Sequence, residues 1–128
     1  MLQKILYISA GASIGAVLRW LLGLALNTVM PLIPLGTLLA NLIGGYFIGV
    51  MLGLIALFPQ FPAGARLFII TGFLGALTTF SSFSGEVVFL IQNRHIVAAV
   101  GLVGLHVMGS LVLTVLGILT AQLLVKLA

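Results

Sequence analysis

The sequence predicts an all-α membrane protein, one domain over residues 1–128 with four transmembrane helices, the third broken near its middle. Three observations carry that expectation. Of the 128 residues, 62% are hydrophobic and 5% charged, whereas a soluble domain carries about 25% charged residues. Four apolar runs, at about 4–27, 35–57, 66–92 and 96–125, each reach the roughly 20 residues needed to cross the hydrocarbon. The segments between them are short and hold all four prolines, Pro31, Pro34, Pro59 and Pro62, where a missing N–H does least harm.

The first run begins with Met1-Leu-Gln-Lys4 and contains a small-residue Ala10-x-Ala12 pattern. Too few apolar residues precede that pattern for a secretory h-region of about 7–15, so the run reads as a retained helix. Gly11 and Gly15 form a small-residue ridge on it, and Gly45, Gly49 and Gly53 form another on the second run. Such ridges let helix backbones approach closely, within a chain or between copies. The third run holds Gly72 and Gly75 followed by Thr78 and Thr79. Glycine weakens a helix interior by about 1 kcal/mol against alanine, so the expected break lies here. Gln92-Asn-Arg-His95 is a tight polar hairpin, and the fourth run follows it.

Four crossings put both termini on one side, with Lys4, Arg66 and Lys126. Arg94, and Arg19 if it snorkels, belong to the other side. The Lys/Arg difference orients membrane proteins, and here it is weak. The chain is expected to insert both ways up and to pair as an antiparallel homodimer within the lipid bilayer. Five scattered basic residues form no patch for nucleic acid. Absent cysteine removes thiolate chemistry. One carboxylate and two histidines at different depths offer no acid/base pair at reach, which argues against an enzyme.

The most informative stretch is Gly75 to Glu86. It holds five hydroxyls (Thr78, Thr79, Ser81, Ser82, Ser84), two phenylalanines, Phe80 and Phe83, and the only acidic residue, Glu86. Polar groups at membrane depth are costly unless they meet each other, water or an ion. The cluster reads as a lined path for something polar; the alternative is hydroxyls bonding back to helix carbonyls or across helix interfaces. On the fourth helix His106, Ser110 and Thr114 are spaced one turn apart, as are Thr37 and Asn41 on the second. Asn41 falls about 10 Å inside its membrane face at roughly 1.5 Å per residue. Arg19 and Glu86 come from two other helices at similar depth. These three are expected to line one water-filled vestibule, the alternative being three separate snorkelling or capped side chains. His106 lies about 15 Å deep, where a lone histidine is most often hydrogen-bonded in a helix interface.

Three segments, Gly15-Ala-Val-Leu-Arg19, Gly36-Thr-Leu-Leu-Ala-Asn-Leu-Ile-Gly-Gly45 and Gly72-Phe-Leu-Gly-Ala-Leu-Thr-Thr-Phe-Ser-Ser-Phe-Ser-Gly-Glu86, resemble those of the Fluc (CrcB-type) bacterial fluoride channels, and the likeness extends over essentially the whole chain. The resemblance implies a passive, fluoride-selective channel in the bacterial inner membrane, built as an antiparallel dual-topology dimer with two pores. It implies that Phe80 and Phe83 meet fluoride with their ring edges, the positive end of the ring quadrupole. It implies that Asn41 is a pore amide donor, that Ser110 and Thr114 form a polar track with Ser81 and Ser84 as partners, and that carbonyls of Gly75 and Thr78 hold a structural Na⁺ at the dimer interface. Arg19, Glu86 and His106 fall to the vestibule. The chain departs from the family pattern at Ser82, where threonine is common, and at His106, where tyrosine is common. Two other readings stay open: a proton-coupled exporter resembling the small multidrug resistance family, and a non-transporting assembly subunit. The former needs a carboxylate in its first helix, which this chain lacks; the latter has no use for hydroxyls and aromatics clustered in mid-membrane.

Overall fold

A computed structural model describes residues 1–127. Among these residues four helical spans are long and apolar enough to cross a membrane: Leu2–Leu26, Leu35–Leu57, Ala63–Gln92 and Ile96–Leu127. Helix α1 (Leu2–Leu26) ends at Asn27. Helix α2 (Leu35–Leu57) starts after Pro34, which has no side chain to cap the first free N–H groups. Asn27 supplies the missing acceptor from the end of α1: its Oδ1 takes the Thr37 N–H at 3.1 Å. The fourth span is α6 (Ile96–Leu127). It follows a turn in which Arg94 has φ 61° and His95 N–H reaches back to the Leu90 carbonyl at 2.9 Å.

The third span is irregular. It runs as α3 (Ala63–Arg66), a π-helical segment (Leu67–Leu74), α4 (Gly75–Leu77) and α5 (Phe80–Gln92). Between α4 and α5, Thr78 (φ −82°, ψ 153°) and Thr79 (φ −153°, ψ 115°) are extended. Thr79 caps α5, its Oγ1 accepting the Ser82 N–H at 3.1 Å. The eight-residue π-helical stretch was not foreseen from sequence. It changes which residues share a face, and helical periodicity cannot be carried through it or across the extended pair.

Apolar burial lies on both sides of the extended pair. Leu74 and Leu77 pack with Ala40 and Met51 of α2. Phe83 and Leu90 of α5 pack with Ala99 and Leu102 of α6. Among lipids such contacts gain dispersion energy rather than hydrophobic transfer, so close approach decides stability. Both glycine ridges supply it inside the chain. A Cβ at Gly11 or Gly15 would strike the Phe68 or Phe73 carbonyl of the third span. One at Gly49 would strike the Thr114 carbonyl, and one at Gly53 would come 2.7 Å from the Ala121 Cβ. Gly117 of α6 answers them against the backbone of α2 at Tyr46 and Val50. All five ridge glycines are buried in the single chain. The ridges therefore give the expected dimer no free face, a correction to the reading that they could serve contacts between copies.

Candidate functional site

The site forms where α2 and α6 cross the extended pair. Leaving the helix at Thr78 displaces several backbone groups, and polar side chains take them up. The Thr79 N–H, which in a continuous helix would bond the Gly75 carbonyl, goes to Asn41 Oδ1 at 2.7 Å. The Thr79 carbonyl accepts from Asn41 Nδ2 at 3.0 Å. Arg19 Nε donates to the Ala76 carbonyl at 2.9 Å. Thr78 Oγ1 donates to the Leu74 carbonyl at 2.9 Å. The Ser82 N–H goes to Thr79 Oγ1 rather than to the Thr78 carbonyl. The carbonyls of Gly75 and Thr78 thus both lose their helical donors.

Against this backbone lies a groove of about 510 Å³. Asn41, Gly75, Thr78, Phe80, Phe83, His106, Ser110 and Thr114 all line it, so one turn-spaced stripe of α6 faces the asparagine of α2 and both phenylalanines of α5. The rings of Phe80 and Phe83 meet edge-to-face, centroids 5.5 Å apart at 72°. Phe83 is buried and stacks on His106 at 4.4 Å, whereas Phe80 is 76% exposed in the single chain. His106 Nδ1 is 3.0 Å from Asn41 Nδ2. Thr114 Oγ1 donates to the Gly45 carbonyl at 2.9 Å. Ser81 and Ser84 do not line this groove. Ser81 is exposed, its hydroxyl 3.3 Å from Thr79 Oγ1.

The single vestibule expected from Arg19, Asn41 and Glu86 is not what forms. Arg19 and Glu86 share a different pocket of about 430 Å³ with Thr37, Thr79 and Ser82, while Asn41 belongs to the groove. Similar depth along three helices does not fix azimuth, and Asn41 turns toward α6. The Ala76 carbonyl freed at the extended pair holds Arg19 through Nε. Glu86 accepts from Thr37 Oγ1 at 2.6 Å, and its Oε2 is buried without a partner. Thr79 lines both cavities. Sequence reasoning placed it at the expected break and among the five hydroxyls, but gave it no role in joining two cavities. The β-branched pair directly after a glycine-weakened turn, a place for extended backbone, marked the break but not the side chains that gather around it.

A sequence model of the family described as "CrcB-like protein, Camphor Resistance (CrcB)" matches residues 6–118. The chain belongs to the CrcB family. Its similarity to individual CrcB-type proteins runs nearly end to end. It is 56% identical over 124 residues to the "Fluoride-specific ion channel FluC" of Tolumonas auensis, covering 97% of this chain and 98% of the relative. It is 51% identical to the protein of that name from Pseudomonas syringae pv. maculicola, with the same coverage. The Desulfovibrio desulfuricans protein of that name is 52% identical over 124 residues, 97% of this chain and 96% of the relative. The chain is a multi-pass membrane protein of a channel family and not an enzyme.

Proposed function

We propose that the chain forms a passive, fluoride-selective channel that lets fluoride leave the cytoplasm across the bacterial inner membrane. The observation that carries this reading is the groove: two phenylalanines edge-to-face, flanked by Asn41, His106, Ser110 and Thr114, in a chain about half identical to proteins named for fluoride conduction. A ring edge is the positive end of an aromatic quadrupole, so paired rings offer a small anion a weak, dry contact from which it can depart. The Ser110 hydroxyl and the His106 ring N–H, one turn apart on α6, replace part of its hydration.

The working unit in this proposal is an antiparallel homodimer with two pores. Its support is the weak charge asymmetry of the termini and loops and the 76% exposure of Phe80 beside the groove. Ser81 and Ser84, outside the groove of their own chain, would serve the groove of the second copy in this proposal. The freed carbonyls of Gly75 and Thr78 suit a hard cation with oxygen ligands, and a structural Na⁺ between the copies is the proposed occupant. It would neutralise these carbonyls in a setting without water.

The decisive experiment uses liposomes containing only this protein. Fluoride efflux without a proton gradient, with chloride efflux far slower, is the expected outcome. Equal rates for the two anions end the selectivity claim, and a requirement for a proton gradient favours an exporter. C-terminal tags reachable from both faces of the cell membrane are expected for dual insertion; tags reachable from one face only exclude it.

A further inference from the structure

The hydrogen bonds around Asn41 leave it no free donor, and that alters its place in the site. The chemistry of Thr79 fixes how the Asn41 amide is turned. A backbone N–H only donates, so the Asn41 atom 2.7 Å from Thr79 N is oxygen. A backbone carbonyl only accepts, so the atom 3.0 Å from Thr79 O is the amide nitrogen. The second hydrogen of that nitrogen has His106 Nδ1 at 3.0 Å. A donor facing Nδ1 requires a lone pair there, and a neutral imidazole with Nδ1 as acceptor carries its proton on Nε2. Both Asn41 hydrogens are therefore engaged within the protein. The donor left over is the His106 Nε2–H, which is buried and has no partner in the chain. His106 itself is 4% exposed, stacked on Phe83, and part of the groove lining with Phe80 and Ser110. A buried N–H without an acceptor is a costly arrangement that a native site keeps for a ligand or a bound water. No other titratable side chain lines the groove.

We propose that Asn41 acts on the permeating anion through His106: it is a positioning residue that holds the imidazole in its neutral Nε2–H form, and this N–H is the donor the anion meets beside Phe83. The proposal rests on the reading of the groove as a fluoride path and reassigns the donor within it. Asn41 has two tasks in one amide, pairing with Thr79 where the backbone is extended and setting the tautomer of the ring.

The test is nitrogen NMR of ¹⁵N-histidine-labelled protein together with flux. With two histidines in the chain, H95Q assigns the spectrum. At neutral pH His106 is expected as the Nε2–H tautomer, and fluoride but not chloride is expected to move its Nε2 resonance. An Nδ1–H tautomer, an imidazolium at neutral pH, or a resonance indifferent to fluoride overturns the proposal. N41D replaces the donor facing Nδ1 by an acceptor and is expected to protonate Nδ1; an unchanged tautomer in folded N41D removes Asn41 from the mechanism. H106Q keeps an acceptor for Asn41 and an N–H beyond it, whereas H106L keeps neither. H106L flux is expected to fall about 10- to 100-fold, the scale of one hydrogen bond to a charged group, with H106Q retaining most of it. Wild-type flux in H106L, or equal loss in both, overturns the proposal. Wild-type protein that moves no fluoride would instead defeat the channel reading, while the tautomer spectra of wild type and N41D would still report whether Asn41 sets the ring.

Discussion

The seam between α2 and α6 and the extended pair Thr78–Thr79 solve opposite problems with small residues and hydroxyls. Along the seam, Gly45, Gly49, Gly53 and Gly117 remove side chains so that two continuous helices touch backbone to backbone. Both helices run unbroken through the seam, and the Thr114 hydroxyl bonds across it to the Gly45 carbonyl at 2.9 Å. At the extended pair the helix gives up its own bonds, and Asn41, Arg19 and Thr79 take over the released groups. The seam is scaffold, since a Cβ at Gly49 or Gly117 would strike a backbone carbonyl of the facing helix. The pair is the place where backbone and side-chain polarity are presented in mid-membrane, where unsatisfied polar groups cost several kcal/mol each. A membrane protein of this size thus separates rigidity from chemistry by a few residues of sequence: Gly45 packs against Ser110, while Ser110 also lines the groove.

The largest effect is expected from adding a side chain to the seam. Gly49→Val drives a Cβ into the Thr114 carbonyl, a backbone atom that cannot rotate away. Overpacking costs about 1–3 kcal/mol where side chains can yield, and here the loss should reach or exceed the top of that range. Size-exclusion in detergent should show loss of the monodisperse species. A monodisperse variant with the wild-type melting temperature would mean that the seam is looser than described.

The proposed cation comes next. Replacing Na⁺ by a larger monovalent cation during purification should slowly weaken assembly and flux, because the Gly75 and Thr78 carbonyls then lack a fitting partner. No Na⁺ should move in proportion to fluoride. Isotope-measured Na⁺ movement coupled to fluoride would assign the ion to transport instead.

Thr79→Ala tests the cap at the extended pair. It removes the acceptor for the Ser82 N–H, and loss of such a cap costs about 1 kcal/mol. Thr79→Ser should recover most of that in a thermal melt, and no difference between the two would mean that the cap contributes nothing. The smallest effect belongs to Gly101→Ala on α6, where an added Cβ meets nothing within 4 Å. It should be neutral within about 0.5 kcal/mol or stabilising through helix propensity by up to about 1 kcal/mol. A large loss would show that a second copy covers this face.

Much of this division was legible in the sequence, and the legible part has a common cause. Four apolar runs become four spans because hydrocarbon thickness sets their length whatever packs beside them. The stripe His106, Ser110, Thr114 stays together because α6 is one uninterrupted helix. Glycine ridges were readable as packing surfaces, but their partner was not, since a ridge does not say which helix it meets. What escaped lies where periodicity fails. The π-helical stretch and the extended pair turn α5 relative to α3, so no helical wheel places Ser81 or Ser84 relative to Asn41. Arg19 was expected in a vestibule with Asn41 and Glu86; the Ala76 carbonyl that holds it is free only once the helix opens. The double engagement of Asn41 depends on Thr79 and His106 arriving from two other elements.

Phe80 separates scaffold from chemistry most cleanly. It is 76% exposed in the chain, so Phe80→Ile should change stability by no more than about 0.5 kcal/mol while removing the positive ring edge. The most direct measurement is fluoride flux from liposomes containing purified Phe80→Ile protein beside wild type, at matched recovery of the assembled species. The account predicts unchanged assembly with fluoride flux collapsed toward that of empty liposomes. A variant that assembles and conducts fluoride at the wild-type rate would contradict it.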